Sequence, residues 1–179
     1  MQESKIGFTL IELIVVIAII GVLAAIITPN AFKAIEKAKI AKLAGDMNAL
    51  RSATLAYYAD IGFFPADVCP DDDPGYTKRD AFNVRTGGAP GCFNTTQLPA
   101  NWATILAAQW NGPYLDKWPL LNPWAGSYDY ENWGNIWMSA RGVPDGVRQR
   151  LVTLSSSGKF GFDLQDNSGV LQILICPQQ

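Results

Sequence analysis

From Phe8 to Ile27 the chain runs for twenty residues with a single charge, Glu12. At ~1.5 Å per helical residue the run spans about 30 Å, the thickness of a bilayer's hydrocarbon core. A carboxylate in that setting costs about 2–4 kcal/mol on insertion scales. A positive partner outside the helix is expected to offset that cost, which points to assembly in a membrane rather than to catalysis. Beyond the run the pattern becomes amphipathic. Good helix formers extend from Ala31 to about Ile61, with Phe32, Ile35, Leu43, Met47, Leu50 and Tyr57 at three- and four-residue spacings. Lys33, Lys37, Lys39 and Lys42 lie mostly on other faces. One helix over residues 9–60, ~78 Å long, is expected. Pro29 lacks an N–H and crowds the carbonyl of Ala25, so with Gly21 it makes residues 21–29 the weak section of that helix.

Gly62-Phe63-Phe64-Pro65 ends the helix, and a loop region follows to Pro99. A short helix is expected from Ala100 to about Trp110. Strands are expected at Tyr128–Trp133, Ile136–Ser139, Val147–Leu154, Lys159–Leu164 and Val170–Ile175, with turns at Ser157-Gly158 and Asn167-Ser168-Gly169. The fold class is therefore α+β, a long N-terminal helix packed on a small antiparallel sheet. The organisation reads as residues 1–7 leader, 8–29 membrane or filament-core helix, 30–62 amphipathic continuation, and 63–179 a loop-rich β domain.

Composition narrows the chemistry. The 179 residues carry a net charge of −2, so no attraction to nucleic acid is expected. Arg141, Arg148 and Arg150 make at most a small basic patch without aromatic interleaving. There is no histidine, which removes Ser-His-Asp triads, most zinc sites and the commonest acid–base catalyst. The expectation is a chain that is not an enzyme. Among three cysteines, Cys69–Cys92 is the expected disulfide and would stabilise its loop by roughly 3 kcal/mol. Pairing of Cys176 with either of them, and three free thiols, remain open. Asp71-Asp72-Asp73 reads as a solvated acidic loop, and the six tryptophans as packing residues rather than a glycan platform.

The segment before the apolar run, Met1 to Gly7, is too short for an ordinary secretory leader, and no Ala-x-Ala site follows the run. Gly7-Phe8-Thr9-Leu10-Ile11-Glu12 resembles the processing signal of type IV prepilins and pseudopilins. The resemblance covers roughly residues 4–60. It implies cleavage by a prepilin peptidase between Gly7 and Phe8 and N-methylation of Phe8. It also makes Glu12 and Pro29 assembly residues, and it implies that the section around Pro29 can unwind in a filament. Thr9-x-x-Glu12 is at the same time a helix capping box, in which both side chains satisfy free backbone donors. After cleavage Glu12 would lie one turn from a cationic amine, about 6 Å along the axis.

A second stretch is similar to the major pseudopilin of type II secretion systems: Gly112-Pro113-Tyr114-Leu115, Trp118-Pro119, and Asn122-Pro123-Trp124-Ala125-Gly126-Ser127-Tyr128-Asp129-Tyr130. Asn122 stands where that family usually has aspartate, and Ala125 is inserted before the glycine. The resemblance implies calcium in a C-terminal loop, for which Asp163, Asp166 and Asn167 are the candidate ligands, although an ordinary β-turn is the competing reading. It further implies a helical homopolymer, an inner-membrane platform protein and minor pseudopilins as partners. The location implied is a single-pass inner-membrane protein with its C-terminal domain in the periplasm, later a periplasmic or extracellular filament. Lys5 is a thin positive-inside signal that Lys33 to Lys42 oppose. The competing functions are a true pilus subunit for adhesion, motility or DNA uptake, and a membrane-anchored glycan-binding module.

Overall fold

The computed structural model describes residues 8–69, 72–81, 94–158 and 163–176. In order along the chain these form α1 (Leu10–Ile61), α2 (Trp102–Gln109), β1 (Tyr128–Asn132), β2 (Ile136–Ala140), α3 (Asp145–Ser156), β3 (Leu164–Asn167) and β4 (Val170–Cys176). Two compact units divide between Ile40 and Ala41, so α1 contributes to both.

In the first unit every residue from Phe8 to Ile35 is exposed. By length and composition this part of α1 can cross a membrane. Pro29 lies inside α1 and the helix continues through it. Two side chains supply extra donors there. Thr28 Oγ1 donates to the Ala24 carbonyl at 2.6 Å, and Asn30 Nδ2 donates to the Ile26 carbonyl at 3.4 Å. These carbonyls flank that of Ala25, which loses its helical donor to Pro29. Both bonds go to carbonyls that also accept helical N–H groups, so they reinforce the turns on either side of the proline rather than replace its missing bond.

In the second unit α1 buries Leu43, Met47, Leu50, Ala53, Thr54, Tyr57 and Ile61. The spacing of three and four puts one stripe against the domain. Each large side chain in it contributes about 1.5–3 kcal/mol by burial. Phe32 and Ile35, expected in the same stripe, are 67% and 53% exposed. The stripe starts only where the second unit does. Tyr76 is the hub above it, with ring centroids of Tyr57, Trp118 and Tyr130 at 6.0, 6.1 and 6.0 Å. Its hydroxyl hydrogen-bonds Thr54 Oγ1 at 2.7 Å, which satisfies a fully buried phenol.

Gly62 stops α1 as its sequence suggests. It takes φ +83° and donates its N–H to the Tyr58 carbonyl at 2.8 Å. The chain then runs along the end of β1. Tyr130 Oη and Asn132 Nδ2 both donate to the Pro65 carbonyl, at 3.2 and 2.7 Å. At the other end of β1, Tyr128 Oη donates to Asp46 Oδ2 on α1 at 2.7 Å.

The four strands form one antiparallel sheet in the order β1-β2-β4-β3. The Asn167-Ser168-Gly169-Val170 turn is a two-residue hairpin with φ 51° at Ser168 and 89° at Gly169, the geometry that Ser-Gly signalled. The expected strand at 147–154 is instead the middle of α3. Asp145 in the first turn follows Pro144, and Arg148, Leu151 and Ser155 are buried at spacings of three and four. Alternation in Leu151-Val152-Thr153-Leu154 is too short to compete with that period. Gly158, at φ +76°, closes the helix. Most of the expected strand at 159–164 lies outside the described residues, and the strand observed there is Leu164–Asn167.

Candidate functional site

The first turn of α1 carries the chemistry. Thr9 N–H and Thr9 Oγ1 both donate to Glu12 Oε2, at 2.8 and 2.7 Å, and Glu12 N–H reaches back to Thr9 Oγ1 at 3.3 Å. This is a reciprocal capping box, and it places both accepted bonds on one carboxylate oxygen. Phe8, Ile11, Glu12, Val15 and Val16 line one shallow depression along the helix. Their spacings of three and four put the carboxylate on an apolar face. A charge held there suits an interface between helices better than a water-facing surface. Phe8 is 80% exposed at the start of the described chain, and Gly7 lies outside it. Pro29, the other expected assembly residue, sits in the helical segment with the Thr28 and Asn30 donors.

The stretch from Asn122 to Tyr128 builds the base of the β1–β2 hairpin. Asn122 Oδ1 accepts the N–H groups of Trp124 and Gly126 at 2.9 and 3.3 Å. Its Nδ2 donates to the carbonyls of Arg141 and Ser127 at 2.6 and 3.4 Å. An aspartate could accept the first pair but could not donate the second. The inserted Ala125 sits at φ 61° and donates its N–H to the Asn122 carbonyl. A Cβ at Gly126 would fall 1.9 Å from the Arg141 carbonyl oxygen, so only glycine lets the turn lie against the end of β2.

Two of the candidate calcium ligands already have hydrogen-bond partners within the domain. Asp166 and Asn167 are successive residues of β3, where side chains alternate between faces, and Asp163 precedes the strand. Asp166 Oδ1 accepts Arg148 Nε at 3.0 Å and the Gly169 N–H at 3.3 Å. Asn167 Nδ2 donates to Gln172 Oε1 at 3.2 Å. Among the described residues no group of three His, Cys, Asp or Glu could hold a metal ion. Asp73 is an anchor of its own loop, accepting the N–H groups of Gly75, Tyr76 and Thr77, while Asp71 lies outside the described residues. Cys69 is disulfide-bonded, and Cys92 lies outside the described residues.

The basic patch is dispersed into ion pairs. Arg141 Nη2 lies 2.8 Å from Asp129 Oδ2 and 4.0 Å from Glu131 Oε1, and Arg148 pairs with Asp145 and Asp166. Of the six tryptophans, Trp118 is buried, Trp133 is exposed and the other four are half-buried.

One carboxylate was not foreseen. Asp67 is 5% exposed, bridges to Asn94 through both backbones, and accepts the Asn132 N–H at Oδ1. Burial first, then the charges of Asp129 and Glu131, push its carboxyl from 3.8 up to about 6, against the pull of the N–H bonds. The stability tied to its protonation is full below pH ~4 and is lost as pH rises through 6. Asp67→Asn keeps the acceptor and loses the charge. In thermal unfolding of the full chain in detergent the variant is expected to melt about 2–5 °C above the parent at pH 7.5 and to match it near pH 4. Equal midpoints at both pH values would show that Asp67 carries no such strain.

Comparison with known proteins gives two family models, the prokaryotic N-terminal methylation motif over residues 4–28 and the PilW C-terminal domain over residues 34–89. The chain is 30% identical over 129 residues to the type II secretion system core protein G of Pseudomonas aeruginosa, covering 72% of this chain and 75% of that protein. It is 46% identical over 63 residues to the core protein G of Escherichia coli K12, covering 35% of this chain and 43% of that one. It is 39% identical over 67 residues to the fimbrial protein EcpC of Eikenella corrodens, covering 37% of this chain and 44% of that one. No solved structure matches.

Proposed function

Since the chain belongs to the family of the type II secretion system core protein G, we propose that it acts as a major pseudopilin, the repeating structural subunit of a filament that supports protein export. The single observation that carries this is Glu12, a carboxylate held on an apolar helix face within one turn of Phe8. Cleavage between Gly7 and Phe8 by a prepilin peptidase exposes an amine at Phe8, which is then methylated. The amine of one copy and Glu12 of a neighbour form an ion pair in low dielectric, where each charge demands a partner. That pair sets the register of one α1 against the next. Repeating one heterologous contact builds a helical homopolymer.

Before assembly the apolar half of α1 anchors the subunit in the inner membrane, with the C-terminal domain on the periplasmic side. An inner-membrane platform protein and minor pseudopilins are the partners of this reading. The chain works as a structural subunit and turns over no substrate. A pilus subunit shares the N-terminal half, as the match to the fimbrial protein illustrates. The Pseudomonas match favours the pseudopilin, because its 129 residues are more than twice the 52 of α1 and must enter the globular domain.

Intact mass of the membrane-extracted protein tests this. The expected species lacks Met1–Gly7, carries one added methyl group, and is short of two hydrogens through a Cys69–Cys92 disulfide. A chain that keeps its first seven residues beside an active prepilin peptidase would overturn the filament reading.

A further inference from the structure

The C-terminal hairpin is closed by a charge that belongs to the chain itself. Arg148 on α3 is 9% exposed, and its guanidinium meets oxygens from three segments. Nη1 donates to the Val143 carbonyl at 3.0 Å and to Asp145 Oδ1 at 2.7 Å. Nε donates to Asp166 Oδ1 at 3.0 Å. Val143 precedes α3, Asp145 opens it, and Asp166 lies on β3 with its Oδ1 also accepting the Gly169 N–H of the β3–β4 turn. One side chain therefore ties the start of α3 to β3 and to its hairpin.

Calcium would need six to eight oxygens around one point. Here the oxygens that do converge, one carbonyl and two carboxylates, already surround a cation. A guanidinium keeps its charge at every accessible pH, and its fixed fork of donors suits several oxygens at once. Of the residues expected to hold the metal, Asp166 already accepts from Arg148 and the Gly169 N–H, and Asn167 donates to Gln172. We propose that Arg148 is a permanent internal cation that takes the place of a calcium ion in this domain, so that the α3–β3–β4 corner closes without metal. This concerns the globular unit alone and does not rest on the filament reading.

The test uses the full chain in detergent, melted in excess EDTA and in millimolar calcium chloride, with calcium titration followed by calorimetry. Coincident midpoints and no saturable heat are expected. A calcium-dependent rise of about 5 °C or more, the shift that occupied metal produces by mass action, overturns the proposal. Arg148→Met keeps the bulk and removes the charge, and is expected to lower the midpoint by at least about 5 °C. Asp166→Asn is expected to cost less on its own and almost nothing further in the Arg148→Met background, because both act through one contact. Additive losses, or an Arg148→Met midpoint equal to the parent's, would count against the clasp. Should Arg148→Met fail to fold, Arg148→Lys retains the charge without the fork and must melt between Asp166→Asn and the parent or below both. A lysine variant indistinguishable from the parent overturns the role of the fork. A retained leader in the mass spectrum would sink the filament and leave this result unchanged.

Discussion

Glu12→Ala is expected to leave cleavage after Gly7 intact and to remove the polymer. The carboxylate costs about 2–4 kcal/mol in a membrane helix, and the Thr9 box supplies only neutral donors to it. A charged partner is what makes the residue worth its place on the Phe8–Ile11–Val15–Val16 face. Losing a desolvated ion pair costs about 3–5 kcal/mol, so sedimentable or imaged filament should fall at least about 100-fold, and export with it. Glu12→Gln separates the two roles of the residue. Its amide oxygen still accepts from Thr9, so the capping box survives, while the negative charge is gone. It should fail to polymerise as Glu12→Ala does. Filaments at parental levels from the glutamine variant would mean that capping alone is needed, and the inter-subunit pair would have to be abandoned.

Gly126→Ala is expected to be the most damaging single methyl in the globular domain. The added carbon would sit 1.9 Å from the Arg141 carbonyl oxygen and 2.6 Å from the carbon that bears it, both backbone atoms. Neither can swing aside as a side chain would. Relief requires the Asn122–Ser127 turn to leave the end of β2. That breaks the Asn122 bond to the Arg141 carbonyl together with the Arg141 N–H bond to the Ser127 carbonyl. Losses above about 4 kcal/mol are expected, which is enough to unfold many domains outright. Circular dichroism of the purified chain should retain the α1 helix signal and lose the cooperative melt. A midpoint within about 2 °C of the parent would show that the turn has room which its geometry denies.

Local signals explain most of what could be read from the chain. Phe8 to Ile27, the Thr9–Glu12 box, Gly62 and the Ser168-Gly169 turn are each decided by a few neighbouring residues, and each appears where its pattern placed it. The lower edge of the buried stripe was not legible, because Phe32 and Ile35 have the right spacing and are nevertheless exposed. Residues 147–154 are ambiguous in sequence, since three apolar residues in the four from Leu151 to Leu154 fit both periods, and the burial of Arg148 on the helix face is not visible in its charge. The candidate calcium residues stand out by their oxygens, and the pairing of Asp166 with Arg148 is not visible in that pattern. Long-range partners such as Asp67 with Asn132, or Asn122 with Arg141, leave no trace in spacing. They depend on which strands become neighbours, and that is decided by the whole sheet.

The amide at Asn122 has one more implication. A carboxylate at the foot of the hairpin would have no donor for the Arg141 and Ser127 carbonyls unless it gained a proton, whereas an amide presents donor and acceptor at every pH. The foot of the hairpin thus keeps the same set of hydrogen bonds across a wide range of acidity.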